Sequence, residues 1–307
     1  MKQTTDTDNR EFLIREVLLH ASDTLTAETE KRLADIRRDK PSVPVIYVAS
    51  GSAAIIAGGN ATAAAARLYL EEMGIRGLVV MTGCHGPAAF EPMLCVHLPG
   101  KNKLIFRNIT EDKVEPLLNG VFHKDMPGED LVGQSGSFGF EAWHDIQFID
   151  ELPYFKLQKR VILSNCGFYD PESIDEYIAR GGYRAFLKTI RNYTHEEVCD
   201  IVERSGLRGR SGGGFLTGKK WQFAAANEEK TRYIICNGDE GDPGAFMDRS
   251  VLEGDPHSVL EAMTAPLGHL VRNAVAHGLE KPDRRRIVTG SIKRNWTQRY
   301  IQFTASQ

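Results

Sequence analysis

The chain has 307 residues, enough for about two domains with sizeable hydrophobic cores. Its composition, 41% hydrophobic and 26% charged, excludes a wholly disordered chain. Lys and Arg number 38 against 41 Asp and Glu, and the formal net charge of −3 predicts neither nucleic acid nor an anionic membrane as a partner.

The sequence shows no sign of membrane insertion or secretion. No stretch reaches the roughly 18 consecutive apolar residues of a membrane span, and Met1 to Arg10 lacks the apolar core of a signal peptide. The five cysteines are dispersed and odd in number, which argues against a disulfide framework and against a metal site. We therefore expect a cytoplasmic protein with no direct membrane insertion.

The first part of the chain divides into a helical segment and a small α/β domain. Residues 1–40 carry apolar side chains at helical spacing, which Ser22 and Thr24 can divide into two helices before Pro41. Residues 41–122 then follow the order strand, helix, strand, strand, strand, helix, which predicts one α/β domain. The strands are expected at 43–49, 78–81, 93–98 and 103–107, and the helices at 61–73 and 110–118.

Residues 123–154 contain Gly and Pro in an irregular pattern and are predicted to be a linker. A short strand is expected at 161–163. Asp170 and Pro171 predict a helix start, with Asp as the cap and Pro in the first turn, and this helix should end at Gly181. Thr194 and Glu197 have the spacing of a capping box that opens the next helix.

A glycine-rich basic loop follows, with the sequence GLRGRSGGGFLTGKKW over residues 206–221. Glycine at this density lets the backbone approach a ligand closely, and consecutive N–H groups can hold a phosphate. Positive charges surround the loop at Arg208, Arg210, Lys219 and Lys220, and flat side chains follow at Phe215, Trp221 and Phe223. A helix beginning near Lys219 would direct its N-terminus at the same anion. The alternative is a basic surface loop without a ligand.

Neither of the common phosphate motifs matches this loop. A P-loop requires Ser or Thr after Lys219, where Lys220 stands. A Rossmann fingerprint follows a strand, whereas VCDIVERS before Gly206 has a helical pattern.

An acidic turn lies about fifteen residues further on, in the sequence YIICNGDEGDPG over residues 233–244. Tyr233 to Cys236 predicts a strand, which runs into Asn237, Asp239, Glu240 and Asp242. Clustered carboxylates repel one another unless a partner uses them, and ribityl or ribose hydroxyls are suitable partners. The alternative is a solvated acidic turn. The loop and the turn together favour a nucleotide or flavin cradle.

At these residues the chain resembles a known family. GLRGRSGGGFLTGKKW followed by YIICNGDEGDPGAFMDRSVLEGDPHSVLEAM is similar to the NADH-binding FMN flavoprotein subunits of respiratory complex I and of NAD(P)-linked hydrogenases and formate dehydrogenases. The similarity is strong over residues 155–263 and looser over 43–122. It implies an α/β fold with a thioredoxin-like N-terminal domain, followed by an incomplete Rossmann-like FMN-binding domain at 155–263.

The resemblance implies an NADH dehydrogenase chemistry in which FMN takes a hydride from NADH and passes electrons singly to iron–sulfur partner subunits. No side chain is needed as a catalytic group, because the protein supplies position and electrostatics. The loop residues that the resemblance assigns to FMN are Gly209, Arg210, Gly212 and Gly214. Ser211, Gly213 and Leu216 depart from the family pattern, which has Gly, Ala and Pro there.

The same resemblance assigns the remaining contacts. Lys220 is expected at the FMN phosphate or ribityl chain. The residues expected along the ribityl chain and the isoalloxazine are Asn237, Asp239 and Glu240. Phe215 and Phe223 match positions that contact NAD(H), and Asp242 matches an acidic position near it.

The N-terminal domain resembles the thioredoxin-like ferredoxin module that precedes this flavoprotein in hydrogenase-type relatives. That module holds a [2Fe–2S] cluster through four cysteines. Here the first ligand region, VASGSAAIIAGG, has no cysteine, and the second, GCHGPAAFEP, keeps only Cys84. We therefore predict that this chain lacks the iron–sulfur clusters of the family, and that the domain serves docking or packing, with His85 as a loop histidine.

The last 44 residues differ in composition from the rest. Residues 264–307 contain eight Lys or Arg and two Asp or Glu, a net of +6, whereas residues 1–263 carry −9. We expect a basic tail without a family match, which indicates a truncated or frameshifted reading frame rather than a genuine basic tail. Two other functions stay open: a non-catalytic docking or scaffold subunit that binds no flavin, and a nucleotide-binding module of another class.

Overall fold

The computed structural model of the chain describes residues 6–19, 24–123, 125, 128–136, 139–210, 213–228, 234–264, 291–295 and 300–304. It divides into two compact units. The first comprises Met1–Gly181 and Gly244–His257, and the second comprises Gly182–Pro243 and Ser258–Gln307. The division at Gly181 differs from the domain boundary expected at residue 155.

The first unit is built on a five-stranded sheet. Its strands in chain order are β1 Val45–Ala49, β2 Leu78–Thr82, β3 Leu94–His97, β4 Lys103–Phe106 and β5 Leu131–Ser135. They lie in the order β2-β1-β3-β4-β5, with β1 and β2 parallel and the other neighbours antiparallel. The class is α/β, as predicted, and the first four strands fall within two residues of their expected bounds.

Twelve α-helices are present among the described residues. In chain order they are α1 Asp6–Phe12, α2 Ala27–Ile36, α3 Ser52–Ile56, α4 Gly59–Glu72, α5 Glu111–His123, α6 Pro153–Lys156, α7 Ile174–Ala179, α8 Arg184–Asn192, α9 His195–Arg204, α10 Thr217–Ala225, α11 Met247–Gly254 and α12 Pro256–Thr264. A π-helical stretch, Leu13–Leu18, continues α1. In this part of the chain, every helix is too short or too polar to cross a bilayer.

Both faces of the sheet in the first unit are covered, because alternate residues of each strand point to opposite sides. Ile46 and Val48 belong to one core with side chains of α4 and α5, such as Leu70 and Leu118. The opposite face buries a second group, which comprises Val45, Tyr47, Ala49, Ala54, Met93, Cys95, Ile105, Val132, Ile149 and Phe155.

Residues 123–154 are not a linker, because they contribute β5 and pack in the first unit. The Gln134 side chain, only 1% exposed, holds this segment in place. Its carbonyl accepts from Asn102 Nδ2 at 3.0 Å and from the Trp143 amide at 2.9 Å, and its amide donates to the Ile146 carbonyl at 2.6 Å. β5 is thus held partly by polar contacts of Gln134 to residues outside the strand. Its sequence, LVGQS, does not show the apolar alternation from which a strand is predicted.

Two further predictions in the first unit are wrong. The strand expected at 161–163 is a run of bends and turns in which Val161 and Ile162 are 65% and 61% exposed. None of the described strands pairs with this segment. The helix expected to begin after Asp170 begins at Ile174, and Ser173 caps it by accepting from the Glu176 amide at 3.2 Å. Asp170 instead accepts from the Glu172 amide at 2.9 Å and closes a turn before the helix.

The second unit has a different make-up. Within its described residues, the strands are β6 Ser291–Asn295 and β7 Tyr300–Thr304, which pair antiparallel. The parallel sheet of a Rossmann-like domain is not among the described residues, where α8, α9, α10 and α12 make up the rest of the regular structure.

His85 makes the first unit sensitive to acid. Its ring is 4% exposed and lies with Nε2 3.7 Å from Cys95 Sγ. Burial, followed by the cationic Lys103 and Arg160, lowers the pKa of His85 from 6.5 to about 3. The unfolded chain therefore binds this proton first, and stability present above pH 6.5 is lost as the pH falls towards 3.

We expect the free energy of unfolding to fall by about 2–3 kcal/mol between pH 7 and pH 4.5 through this group alone. Urea unfolding of His85→Gln at both pH values should show a loss smaller by that amount. The exposed His144→Gln variant is the control. Equal losses in the two variants would contradict the prediction.

Candidate functional site

Helices α9 and α10 of the second unit frame the glycine-rich loop. The capping box at the start of α9 is formed as predicted: the Glu197 amide donates to Thr194 Oγ1 at 3.3 Å, and the Thr194 amide donates to Glu197 Oε2 at 2.8 Å. Helix α10 begins at Thr217, two residues before the expected position. The loop therefore spans the interval between two helices whose ends are well defined.

Hydrogen bonds close the base of this loop. The Thr217 amide donates to the Leu207 carbonyl at 2.9 Å, and the Gly209 amide donates to the Phe215 carbonyl at 2.9 Å. Arg208 Nη1 donates to the Gly214 carbonyl at 3.0 Å. The Gly209 amide is thus used within the loop, whereas Arg210 and Gly213, which we call the loop tip, are exposed.

The tip leaves space at its backbone. A Cβ at Gly213 or Gly214 would meet nothing within 4 Å, and Gly214 has a φ of +55°, which favours glycine. Arg210 is exposed beside it. Ser211 and Gly212 lie outside the described residues. A ligand can therefore approach the backbone at Gly213 and Gly214.

Two exposed aromatic rings stand beside the loop. Phe215 and Phe223 are 46% and 67% exposed, with ring centroids 6.4 Å apart at an interplanar angle of 43°. Exposed rings of this size are suited to stacking against a planar heteroaromatic group. The two phenylalanines that the sequence assigned to a dinucleotide are therefore brought together on one surface.

A lysine adds positive charge to this pair. Lys220 Nζ lies 6.0 Å from the Phe215 ring centroid, and the side chain is exposed. The neighbouring Lys219 Nζ points instead to Glu203 Oε1, at 3.9 Å. Open backbone, two exposed rings and an exposed cation are the groups that a phosphorylated heteroaromatic cofactor such as FMN requires, so these residues fit it.

The acidic turn lies in an irregular segment. The strand expected at Tyr233–Cys236 is not formed over its described residues, and Ile235 is 76% exposed. A strand forms only where a neighbour accepts its backbone hydrogen bonds, and none of the described strands pairs here.

Within this turn, the Asp239 amide donates to Asn237 Oδ1 at 3.0 Å. Asn237, Asp239 and Asp242 are exposed and Glu240 is half-buried. Their side chains can thus reach a ligand's hydroxyl groups, whereas the measured distances bring together Phe215, Phe223 and Lys220. In the described part of the chain, no three His, Cys, Asp or Glu side chains group as metal ligands.

Comparison with known families gives one match within the chain. Residues 202–289 match the family described as the Nuo51 FMN-binding domain. This range contains the glycine loop, the acidic turn and α11. It also includes residues 264–289, which were expected to lack a family match.

Two relatives and one solved structure illustrate the similarity. The chain is 59% identical over 108 residues to the NADP-reducing hydrogenase subunit HndC of Solidesulfovibrio fructosivorans, which covers 35% of this chain and 22% of that protein. It is 45% identical over 103 residues to an NADH-quinone oxidoreductase subunit of Rhizobium meliloti, covering 34% and 24%. A thioredoxin-like [2Fe–2S] ferredoxin from Aquifex aeolicus aligns at 12% identity and a TM-score of 0.27, covering 32% of this chain and 98% of that one. The chain thus spans under a quarter of the length of the two relatives.

Proposed function

We propose that this chain, whose residues 202–289 match the Nuo51 FMN-binding domain family, binds FMN for the oxidation of NADH and delivers electrons to iron–sulfur partner subunits. The observation that carries the proposal is the exposed Phe215 and Phe223 pair with Lys220 beside it, next to the open backbone at Gly213 and Gly214. When bound, FMN supplies a ring that accepts a hydride and releases electrons one at a time.

The residues of the chain then act by binding and orienting. Lys220 and Arg210 offer positive charge to a phosphate, and the space at Gly213 and Gly214 allows close approach. The phenylalanine rings offer planar surfaces for the flavin or the nicotinamide. The polar residues proposed to accept hydrogen bonds from ribityl and ribose hydroxyls are Asn237, Asp239, Glu240 and Asp242.

The partners and the location belong to the same proposal. The two relatives named above are subunits of a hydrogenase and of a quinone oxidoreductase. We place this chain in a comparable assembly in the cytoplasm, with iron–sulfur subunits as its electron acceptors.

A visible absorption spectrum tests the proposal directly. The purified chain is incubated with FMN, desalted and then mixed with NADH. We expect retained flavin bands that bleach on addition of NADH. Absence of retained flavin would instead favour a docking or scaffold subunit, and tight binding of a nucleotide without flavin would favour a module of another class.

Lys220→Ala is expected to weaken FMN binding about tenfold, because a charge-assisted hydrogen bond to a phosphate is lost. The measurement is a titration of FMN fluorescence with the wild-type chain and the variant. Lys219→Ala is the matched control, since Lys219 points to Glu203, and it should change the Kd less. Equal Kd values for Lys220→Ala and the wild-type chain would remove Lys220 from the site.

A further inference from the structure

The parallel strands β1 and β2 end at the same edge of the thioredoxin-like sheet. Ala49 pairs with Thr82 at the last position of the register, and the Ser50 amide donates to the Thr82 carbonyl at 2.8 Å. The segment Ser50–Ser52, which leads from β1 into α3, therefore lies next to the loop Gly83–Gly86. We call these two segments the β1–β2 edge.

A carboxylate from α11 closes this edge. The Ser52 amide donates to Glu253 Oε2 at 2.9 Å, and the Ser52 hydroxyl donates to Glu253 Oε1. Both carboxylate oxygens are thus engaged by one residue. A Cβ at Gly51 would lie 2.9 Å from Glu253 Oε2, so the carboxylate lies directly against the backbone of Gly51.

The residues after Glu253 are held as closely. A Cβ at Gly254 would lie 3.2 Å from Gly83 Cα and 3.0 Å from Cys166 Sγ, so the two backbones are in contact. Asp255, 2% exposed, accepts from the Tyr169 hydroxyl at 2.6 Å and from Asn165 Nδ2 at 2.9 Å. Three consecutive residues at the C-terminal end of α11, Glu253, Gly254 and the capping Asp255, therefore anchor this helix in the first unit.

The donor set at the β1–β2 edge does not fit the iron–sulfur cluster that a thioredoxin-like ferredoxin module would hold. Such a cluster needs four ligands, mostly thiolates. The edge offers the single thiol of Cys84, and the loop after β1 offers a serine that already binds Glu253. Instead of a cluster, this edge binds the carboxylate of Glu253 through the amide and the hydroxyl of Ser52.

We propose that Glu253 is a positioning residue, which fixes α11 to the β1–β2 edge and thereby holds the end of the acidic turn that the FMN site uses. Asp242 precedes Met247, the first residue of α11, by five positions, so an anchored helix restricts the turn through the chain itself. This inference rests on the proposed function for its flavin part. The thioredoxin-like domain then serves to hold a segment of the FMN-binding region.

The test combines hydrogen exchange with flavin titration on the full chain. Ser52→Ala and Glu253→Gln should both increase amide exchange within residues 247–254, and the double variant should add little to either. Both should raise the Kd for FMN about fivefold to tenfold, which lies within the range for the net loss of one typical hydrogen bond. Ser52→Thr keeps the hydroxyl and should restore wild-type values, and the exposed Glu71→Gln is the matched control.

The possible results test the anchoring of α11, the positioning of the acidic turn and the proposed function separately. Unchanged exchange in both variants would overturn the anchoring of α11 by Glu253. Increased exchange with an unchanged Kd would show a purely structural role and overturn the positioning. If the wild-type chain binds no FMN, the proposed function fails together with the flavin part, while the exchange data still decide the anchoring.

Discussion

Replacing Glu176 with alanine is expected to lower the free energy of unfolding by about 3–5 kcal/mol, because it removes a buried carboxylate and leaves two half-buried arginines without it. Glu176 is 1% exposed and accepts from Arg180 Nη2 at 3.0 Å and from the Arg38 guanidinium. It also accepts from the Asp170 amide at 3.3 Å. This one side chain therefore joins the end of α2 to α7.

Urea unfolding followed by circular dichroism measures this loss. Glu172→Ala is the matched control, because Glu172 lies on the same segment and is exposed. Its effect should stay within about 0.5 kcal/mol. A loss in Glu176→Ala no larger than in the control would show that the two arginines find other partners.

Replacing Gly218 with alanine is expected to lower the free energy of unfolding by about 2–3 kcal/mol, since a methyl group has no room between α9 and α10. A Cβ at Gly218 would overlap the backbone of Glu203 and lie 2.7 Å from its Cβ. The helices would have to separate at the point where the glycine loop returns to α10. We expect FMN retention to fall in the same variant.

The matched control for this change is Gly213→Ala. Gly213 lies in the glycine-rich loop just before α10, and a Cβ there meets nothing within 4 Å. Thermal unfolding should leave this variant near the wild-type midpoint. If Gly218→Ala has a midpoint equal to that of Gly213→Ala, the close contact of α9 with α10 is not required for stability.

Features set by neighbouring residues could be predicted from the sequence. The capping box of Thr194 and Glu197 depends on a spacing of three residues, and the start of α10 follows from the glycines before it. The buried strand β1 was evident from its run of β-branched residues. Local signals of this kind need no knowledge of the rest of the fold.

Features set by distant partners could not be predicted in this way. β5 exists because β4 accepts it and because Gln134 finds partners in Asn102 and Trp143. The expected strand at Tyr233 to Cys236 has the right composition, but its described residues have no partner among the described strands.

In the candidate site, too, local features could be predicted from the sequence and contacts between distant residues could not. The glycines, Lys220 and the two phenylalanines could be named from the sequence, whereas their distances could not. Glu253 was missed because its partner Ser52 is 201 positions away, and neither residue belongs to a recognisable motif. A glycine-serine turn after a buried strand, together with an acidic residue at a helix end, was the only signal available.

The discontinuity of the first unit affects how it folds during synthesis. The unit's first segment ends at Gly181, and its last helix arrives only with residues 244–257. Because a chain leaves the ribosome N-terminus first at about 5–20 residues per second, roughly 4–15 s separate the two. During that interval Tyr169 lacks its acceptor Asp255 and Ser52 lacks Glu253. The β1–β2 edge of the sheet therefore stays uncovered until a segment translated after the glycine-rich loop arrives.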